Sequence, residues 1–72
     1  MVPFNEHLRT IRKQSKSTQK QVAVAVGVTE RNYQDWEYGQ YKPGFDTLIA
    51  LADYFDVSLD YLVGRSDDPR RR

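Results

Sequence analysis

The chain has 72 residues, a net charge of +1, no cysteine and a single histidine, His7. This length allows one domain with a small core, and the lack of cysteine excludes disulfides and the thiolate ligands of a structural zinc site. Charges recur every few residues, so the sequence predicts neither a membrane span nor a signal peptide. We expect a cytoplasmic protein without metal or cofactor, in which His7 is exposed or caps a helix.

The small net charge hides an uneven distribution along the chain. Residues 1–36 carry six Lys or Arg against three Asp or Glu, whereas residues 37–72 carry five against seven. The first half is therefore mildly basic and the second half acidic. Net charge alone is a weak argument for nucleic acid binding, and the distribution is more informative.

The first predicted helix covers about residues 3–14. Phe4, Leu8 and Ile11 recur at i, i+4 and i+7, which is the spacing of one helix face. Pro3 suits the first helical position, because its missing N–H has no intrahelical partner there.

Two shorter helices follow in close succession. Thr18 and Gln21 have the spacing of a capping box, and Gly27 suits the end of that helix because glycine tolerates a left-handed conformation. Thr29 is the next N-cap, and the helix after it is predicted to run to about residue 38 and stop at Gly39. The inward residues of these two helices are predicted to be Val22, Ala23, Val26, Tyr33 and Trp36.

The rest of the chain predicts two more helices. The fourth is the most apolar segment, which suggests a central position, and it carries Asp46 in its first turn, where a negative charge suits the helix dipole. Ser58 caps a short last helix that Gly64 closes. One core is predicted from Leu8, Val22, Trp36, Leu48, Leu51, Ala52, Phe55 and Leu62.

The second and third helices, joined by a glycine turn, predict a helix-turn-helix at about residues 18–38. Such a unit leaves the N-terminal half of its second helix, here about 30–38, free to enter a major groove. Arginine can bond bidentately to guanine, glutamine to adenine, and an acid can accept from cytosine N4. The outward side chains are predicted to be Glu30, Arg31, Gln34 and Asp35, a set that is also typical of any solvated helix face.

Residues 17–67, STQKQVAVAVGVTERNYQDWEYGQYKPGFDTLIALADYFDVSLDYLVGRSD, resemble the phage-repressor/Cro (Xre-type) family. The shared pattern is Thr-Gln, an Ala in helix 2, Gly-Val-Thr, Trp-Glu-x-Gly, Lys-Pro, Leu-x-x-Leu-Ala and Val-Ser-x-x-Tyr-Leu. The resemblance covers about residues 4–66. It implies an all-α, compact five-helix bundle of the lambda-repressor type that acts as a transcriptional regulator, of prophage or mobile-element origin, commonly as a homodimer on duplex DNA.

The resemblance also implies roles for single residues. Gln19 matches a phosphate contact that can support the first residue of the recognition helix, here Glu30, and Arg12 with Glu37 matches an ion pair between helices 1 and 3. The family often has Arg or Gln where this chain has Glu30, and a neutral or basic residue where it has an acid at position 35. Each acid repels phosphate unless it accepts from cytosine or pairs with a cation. The backbone contacts implied are Thr18, Gln19, Asn32, Gln40, Tyr41 and Lys42.

Other interpretations stay open at the level of sequence. Glu30 and Asp35 also suit a helix-turn-helix module that binds a basic protein, as an antitoxin-like or adaptor domain would. An enzyme is disfavoured, because the sequence has no Cys or His constellation and no Gly-rich phosphate loop. Residues 1–66 are predicted as the domain and 67–72 as a charged flexible tail. Dimerisation is predicted through helix 5, at Tyr61, Leu62 and Val63.

Overall fold

The computed structural model describes residues 3–71, which form five α-helices and no strand. The helices are α1 (Phe4–Gln14), α2 (Gln19–Val26), α3 (Glu30–Glu37), α4 (Phe45–Phe55) and α5 (Leu59–Leu62). The predicted all-α, five-helix architecture is therefore confirmed. Within the described range no helix has the length and apolarity needed to cross a membrane.

The caps of α2 follow the sequence pattern. The Gln21 backbone N–H donates to Thr18 Oγ1 at 3.0 Å, and the Thr18 N–H donates to Gln21 Oε1 at 2.8 Å, which completes the capping box. Gly27 ends the helix at φ 80°, a left-handed conformation that a side chain would strain. The Val28 N–H then donates to the Ala23 carbonyl at 3.0 Å, so the chain turns sharply into α3.

Side-chain caps also set the starts of α3 and α5. Thr29 Oγ1 accepts from the Asn32 N–H at 3.1 Å, and Ser58 Oγ accepts from the Tyr61 N–H at 3.0 Å. Pro3 is the residue before α1 and not its first residue, a difference of one position from the prediction. Each short helix thus has its own start signal, while tertiary packing supplies most of its stability.

One apolar cluster joins all five helices. It consists of Leu8, Ile11, Val22, Ala23, Tyr33, Trp36, Leu51, Ala52, Val57 and Leu62. Six of the eight predicted core residues belong to it, whereas Leu48 and Phe55 are only partly buried against its edge.

The expected central position of α4 holds for only part of the helix. Phe45 is 67% exposed and Ile49 39% exposed, and only Leu51 and Ala52 of this helix are buried. The reason is geometric: α4 contacts α2 and α5, so only the side chains directed at those two helices are covered. Apolar composition did not reveal which face of α4 lacks a neighbour.

The position of α5 corrects the predicted dimer surface. Leu62 is fully buried in the core, so it does not contribute to an outer face, and Tyr61 and Val63 are partly buried. Tyr61 also holds α1, because its carbonyl oxygen lies 2.7 Å from His7 Nε2 and its ring meets the imidazole edge-on. His7 is thus partly buried against the end of α5, where it hydrogen-bonds a helix carbonyl.

The segment after α5 lies against α4 and the start of α5. The Ser58 N–H donates to the Pro69 carbonyl at 3.0 Å, and Arg71 Nη1 donates to the Ala52 carbonyl at 3.0 Å. Arg71 also pairs with Asp53. Residue 72 lies outside the described residues, and the predicted flexibility of 67–72 stays a prediction.

Candidate nucleic-acid interface

The first turn of α3 is held away from the core by its cap and by the two aromatic side chains behind it. Tyr33 and Trp36 point inward and meet edge-on, with ring centroids 5.6 Å apart. Glu30, Arg31 and Asn32 are exposed. The helix-turn-helix therefore presents a polar surface on the first turn of α3, as the sequence predicted.

Gln34 and Asp35 are less accessible than the first turn. Both are partly buried: the Gln34 amide bonds Gln19 of α2, and the Asp35 carboxylate pairs with Arg31 of its own helix. Arg31 Nε lies 3.4 Å from Asp35 Oδ1, with the Arg31 side chain 85% and the Asp35 side chain 20% exposed. Such a long, exposed i,i+4 pair is weak and exchanges its partner readily. The guanidinium is therefore available to a stronger acceptor.

Behind this surface, the carboxylate of Glu37 is fully buried. Arg12 binds it with two nitrogens, Nε to Oε2 at 2.6 Å and Nη2 to Oε1 at 3.2 Å. The Tyr33 hydroxyl donates to Oε2 at 2.5 Å, and Gln19 Nε2 donates to Oε1 at 3.1 Å. Arg9 adds a bond to the Glu37 backbone carbonyl at 2.8 Å. Side chains from α1, α2 and α3 thus meet at one charge.

The surroundings of the Glu37 carboxylate determine whether it is protonated. Burial pushes the pKa of Glu37 upward, but the hydrogen bonds from Arg12, Tyr33 and Gln19 outweigh it, so the pKa is lowered from its ordinary value. Burial together with the neighbouring carboxylate raises the pKa of Tyr33. Glu37 is therefore an ionised acceptor and Tyr33 a neutral donor.

The Gln19 side chain hydrogen-bonds two residues in the C-terminal half of α3. Gln19 Nε2 donates to Glu37 Oε1 at 3.1 Å and Gln34 Nε2 donates to Gln19 Oε1 at 3.2 Å, and within residues 3–71 no hydrogen bond joins Gln19 to Glu30. The reason is that the first turn of α2 packs opposite the C-terminal half of α3, one to two turns away from Glu30. In this structure Gln19 therefore supports Gln34, and the support of Glu30 that the resemblance implies stays a prediction.

The loop after α3 is anchored at its start and exposed beyond it. The N–H groups of Gln40 and Tyr41 approach the Asp35 carbonyl at 2.9 and 3.4 Å. The side chains of Gln40, Tyr41 and Lys42 are exposed. Lys42 forms no ion pair within residues 3–71, so its charge is available to an external anion.

The resemblance implied the Arg12–Glu37 pair, but sequence reasoning missed the hydrogen bonds that Tyr33 and Gln19 donate to the same carboxylate. Tyr33 was assigned only an apolar role, although its spacing of four from Glu37 is the spacing at which helical side chains meet. That spacing is a signal that the sequence did offer. In residues 3–71 no group of three or more His, Cys, Asp or Glu could hold a metal ion.

Five packed helices with an exposed helix-turn-helix define a DNA-binding type of domain. The chain belongs to the helix-turn-helix family of Cro/C1 type, because the family model "Helix-turn-helix" matches residues 8–62.

Similar proteins are regulators and repressors. The chain is 41% identical over 66 residues to the uncharacterized HTH-type transcriptional regulator YobD of Bacillus subtilis, covering 92% of this chain and 59% of that protein. It is 35% identical over 62 residues to the cryptic phage CTXphi transcriptional repressor RstR of Vibrio cholerae, covering 86% and 55%. The P22 c2 repressor, solved with a synthetic operator, superposes with a TM-score of 0.83 at 29% identity, covering 92% of this chain and 100% of that one. The chain spans less than two thirds of the length of YobD and of RstR.

Proposed function

We propose that this chain is a sequence-specific, double-stranded DNA-binding transcriptional regulator, a repressor of the prophage type, which reads the major groove with α3. The observation that carries the proposal is the exposed first turn of α3, held on a fold that is shared with a repressor solved on its operator. We propose that the protein acts in the cytoplasm and is associated with the nucleoid when it is bound to DNA.

The site divides into two kinds of contact. Phosphate contacts position the protein, whereas base contacts select the sequence. We assign base reading to Glu30, Arg31, Gln34 and Asp35. We assign the DNA backbone to Thr18, Gln19, Asn32, Gln40, Tyr41 and Lys42.

A protein-binding module is the weaker interpretation. It depends on the two acidic residues Glu30 and Asp35 alone, and Arg31 lies between them on the same surface of α3. The relatives carry the names of transcriptional regulators, which favours action by binding DNA and not by catalysis.

The test is a selection of bound duplexes from a random pool, followed by affinity measurements over a range of salt concentrations. Sequence-specific DNA binding should enrich one site, and its affinity should fall steeply as salt displaces the phosphate contacts. If the pool stays random and the protein has little affinity for duplex DNA at any salt concentration, the result contradicts DNA binding and favours the protein-binding interpretation.

We infer a homodimer on DNA, since a single small domain covers little of a duplex. The enriched site should then have two related halves about one helical turn, roughly 34 Å, apart. Because Leu62 is buried, α5 offers less apolar surface for dimerisation than the sequence predicted. A one-to-one complex on a non-palindromic site would contradict the dimer.

Arg31→Ala should weaken binding to the selected site by about 1–3 kcal/mol and relax the preference at one base pair, which we expect to contain guanine. Arginine offers guanine two parallel donors, and the weak bond to Asp35 is easily exchanged for them. Arg31→Lys is the matched control, because lysine keeps the positive charge but lacks the two parallel N–H donors of the guanidinium. The measurement is the affinity for a panel of single-base operator variants. If Arg31→Ala ranks that panel as the parent does, Arg31 is a surface charge and reads no base.

Lys42→Ala should weaken all duplexes about equally and lower the salt slope by about one. Its ammonium is exposed in the loop after α3 and has no anionic partner among residues 3–71. Arg70→Ala is the control, since it removes a positive charge from the segment beside α4 and α5. A change in base preference with an unchanged salt slope would contradict the phosphate contact.

A further inference from the structure

A hydrogen-bond network of three polar side chains leads from the core to the surface of α3 that we propose faces DNA. It begins at the buried carboxylate of Glu37, passes through the amide of Gln19 at 3.1 Å, and ends at the amide of Gln34 at 3.2 Å. Glu37 is buried whereas Gln19 and Gln34 are only partly buried, so the network reaches the surface at these two glutamines. Its first member is held by three other hydrogen bonds, from Arg12 and Tyr33.

The carboxylate of Glu37 determines which group donates and which accepts in each hydrogen bond of this network. An ionised carboxylate only accepts hydrogen bonds, so Gln19 must turn its nitrogen toward Glu37. The carbonyl oxygen of Gln19 then faces Gln34, which must in turn offer its own nitrogen. Turning either amide over would place two acceptors or two donors against each other. The charge in the core therefore orients an amide on the surface.

We propose that Glu37 and Gln19 are positioning residues that hold the nitrogen of Gln34 toward α2, so that Gln34 meets DNA with its carbonyl oxygen and selects bases with an exocyclic amino group. The proposal rests on the proposed DNA-binding function and deepens it. Within residues 3–71 the Gln34 side-chain oxygen has no hydrogen-bond partner, which leaves it available to a ligand.

This orientation has a definite consequence for base choice. In the major groove, adenine N6 and cytosine N4 present hydrogen-bond donors, whereas guanine O6 and thymine O4 present acceptors. An unrestrained glutamine serves either group, because its amide can turn. A Gln34 held oxygen-outward should discriminate between amino and keto bases without distinguishing sharply within either class.

The experiment uses the duplex selected by the parent chain and the same duplex with all four base pairs at each position. Gln34→Ala identifies the position that Gln34 reads, as the one whose preference it flattens. There the parent should bind the amino bases, adenine and cytosine, roughly three- to tenfold more tightly than the keto bases, the worth of about one hydrogen bond.

Gln19→Met then removes the orienting amide while leaving Glu37 bound to Arg12 and Tyr33. The amino-over-keto preference should fall below about twofold at that position alone, on top of a uniform loss from the phosphate contact of Gln19. Lys20→Met is the matched control, because Lys20 is exposed on the same turn and outside the network, and should leave that preference intact. Thermal melting of each variant confirms that it is folded.

The outcomes separate the two proposals. If the parent enriches no duplex, the DNA-binding function itself fails. If it enriches a site, the orientation proposal is overturned by any of three results: a keto preference at the Gln34 position, no position flattened by Gln34→Ala, or an unchanged preference in folded Gln19→Met. Should Gln19→Met not fold, Gln19→Ala provides the same test, because it also removes the oxygen that accepts from the Gln34 amide.

Discussion

Trp36→Ala should lower the free energy of unfolding by about 3–5 kcal/mol, the usual range for removing a large aromatic side chain from a core. Trp36 is 4% exposed and lies edge-on to Tyr33 in the cluster that joins all five helices. A domain of this size has a small core, so no second layer of apolar side chains can move in to fill the cavity. The loss is a large part of the stability expected for a small domain.

Denaturant unfolding at a fixed temperature measures this effect. The control is Tyr41→Ala, which removes an aromatic side chain that is 67% exposed and should change stability only slightly. A midpoint for Trp36→Ala equal to that of the parent would show that the indole is not part of the core.

Glu37→Gln should cost about 3 kcal/mol at neutral pH, because removing one partner of a buried ion pair leaves the other charge uncompensated. The carboxylate accepts from Arg12, Tyr33 and Gln19, and a neutral amide offers only one acceptor oxygen in its place. Glu30→Gln, at an exposed position of the same helix, is the matched control and should stay within about 0.5 kcal/mol of the parent.

The stability of the parent and that of Glu37→Gln should depend differently on pH. The pKa of Glu37 is lowered in the folded state, so the unfolded chain takes up a proton at a higher pH than the folded chain. The stability contributed by the charge is complete above the ordinary glutamate pKa of about 4.3 and is lost as the pH falls through the lower folded value. The gap between parent and Glu37→Gln should therefore narrow in acid. A constant gap from pH 7 to about pH 3 would contradict an ionised, hydrogen-bonded Glu37.

The sequence by itself determined the five helices, the starts of α2, α3 and α5, and the end of α2. Thr18 with Gln21, Gly27, Thr29 and Ser58 act on backbone groups within one turn of themselves, so their effect is readable from spacing alone. The exposure of Glu30 and Arg31 followed in the same way, once the inward aromatic pair of α3 had been placed by helical periodicity.

Only the tertiary structure decided which side chains meet across helices. The burial of Glu37, the contact of Gln19 with Gln34, and the covering of Leu62 all depend on where separate helices lie. Periodicity assigns a residue to one face of its own helix, but it carries no information on the rotation and offset of the neighbouring helix. Those two quantities come from close packing of the whole core, and they determine whether a polar side chain faces water, a partner or DNA.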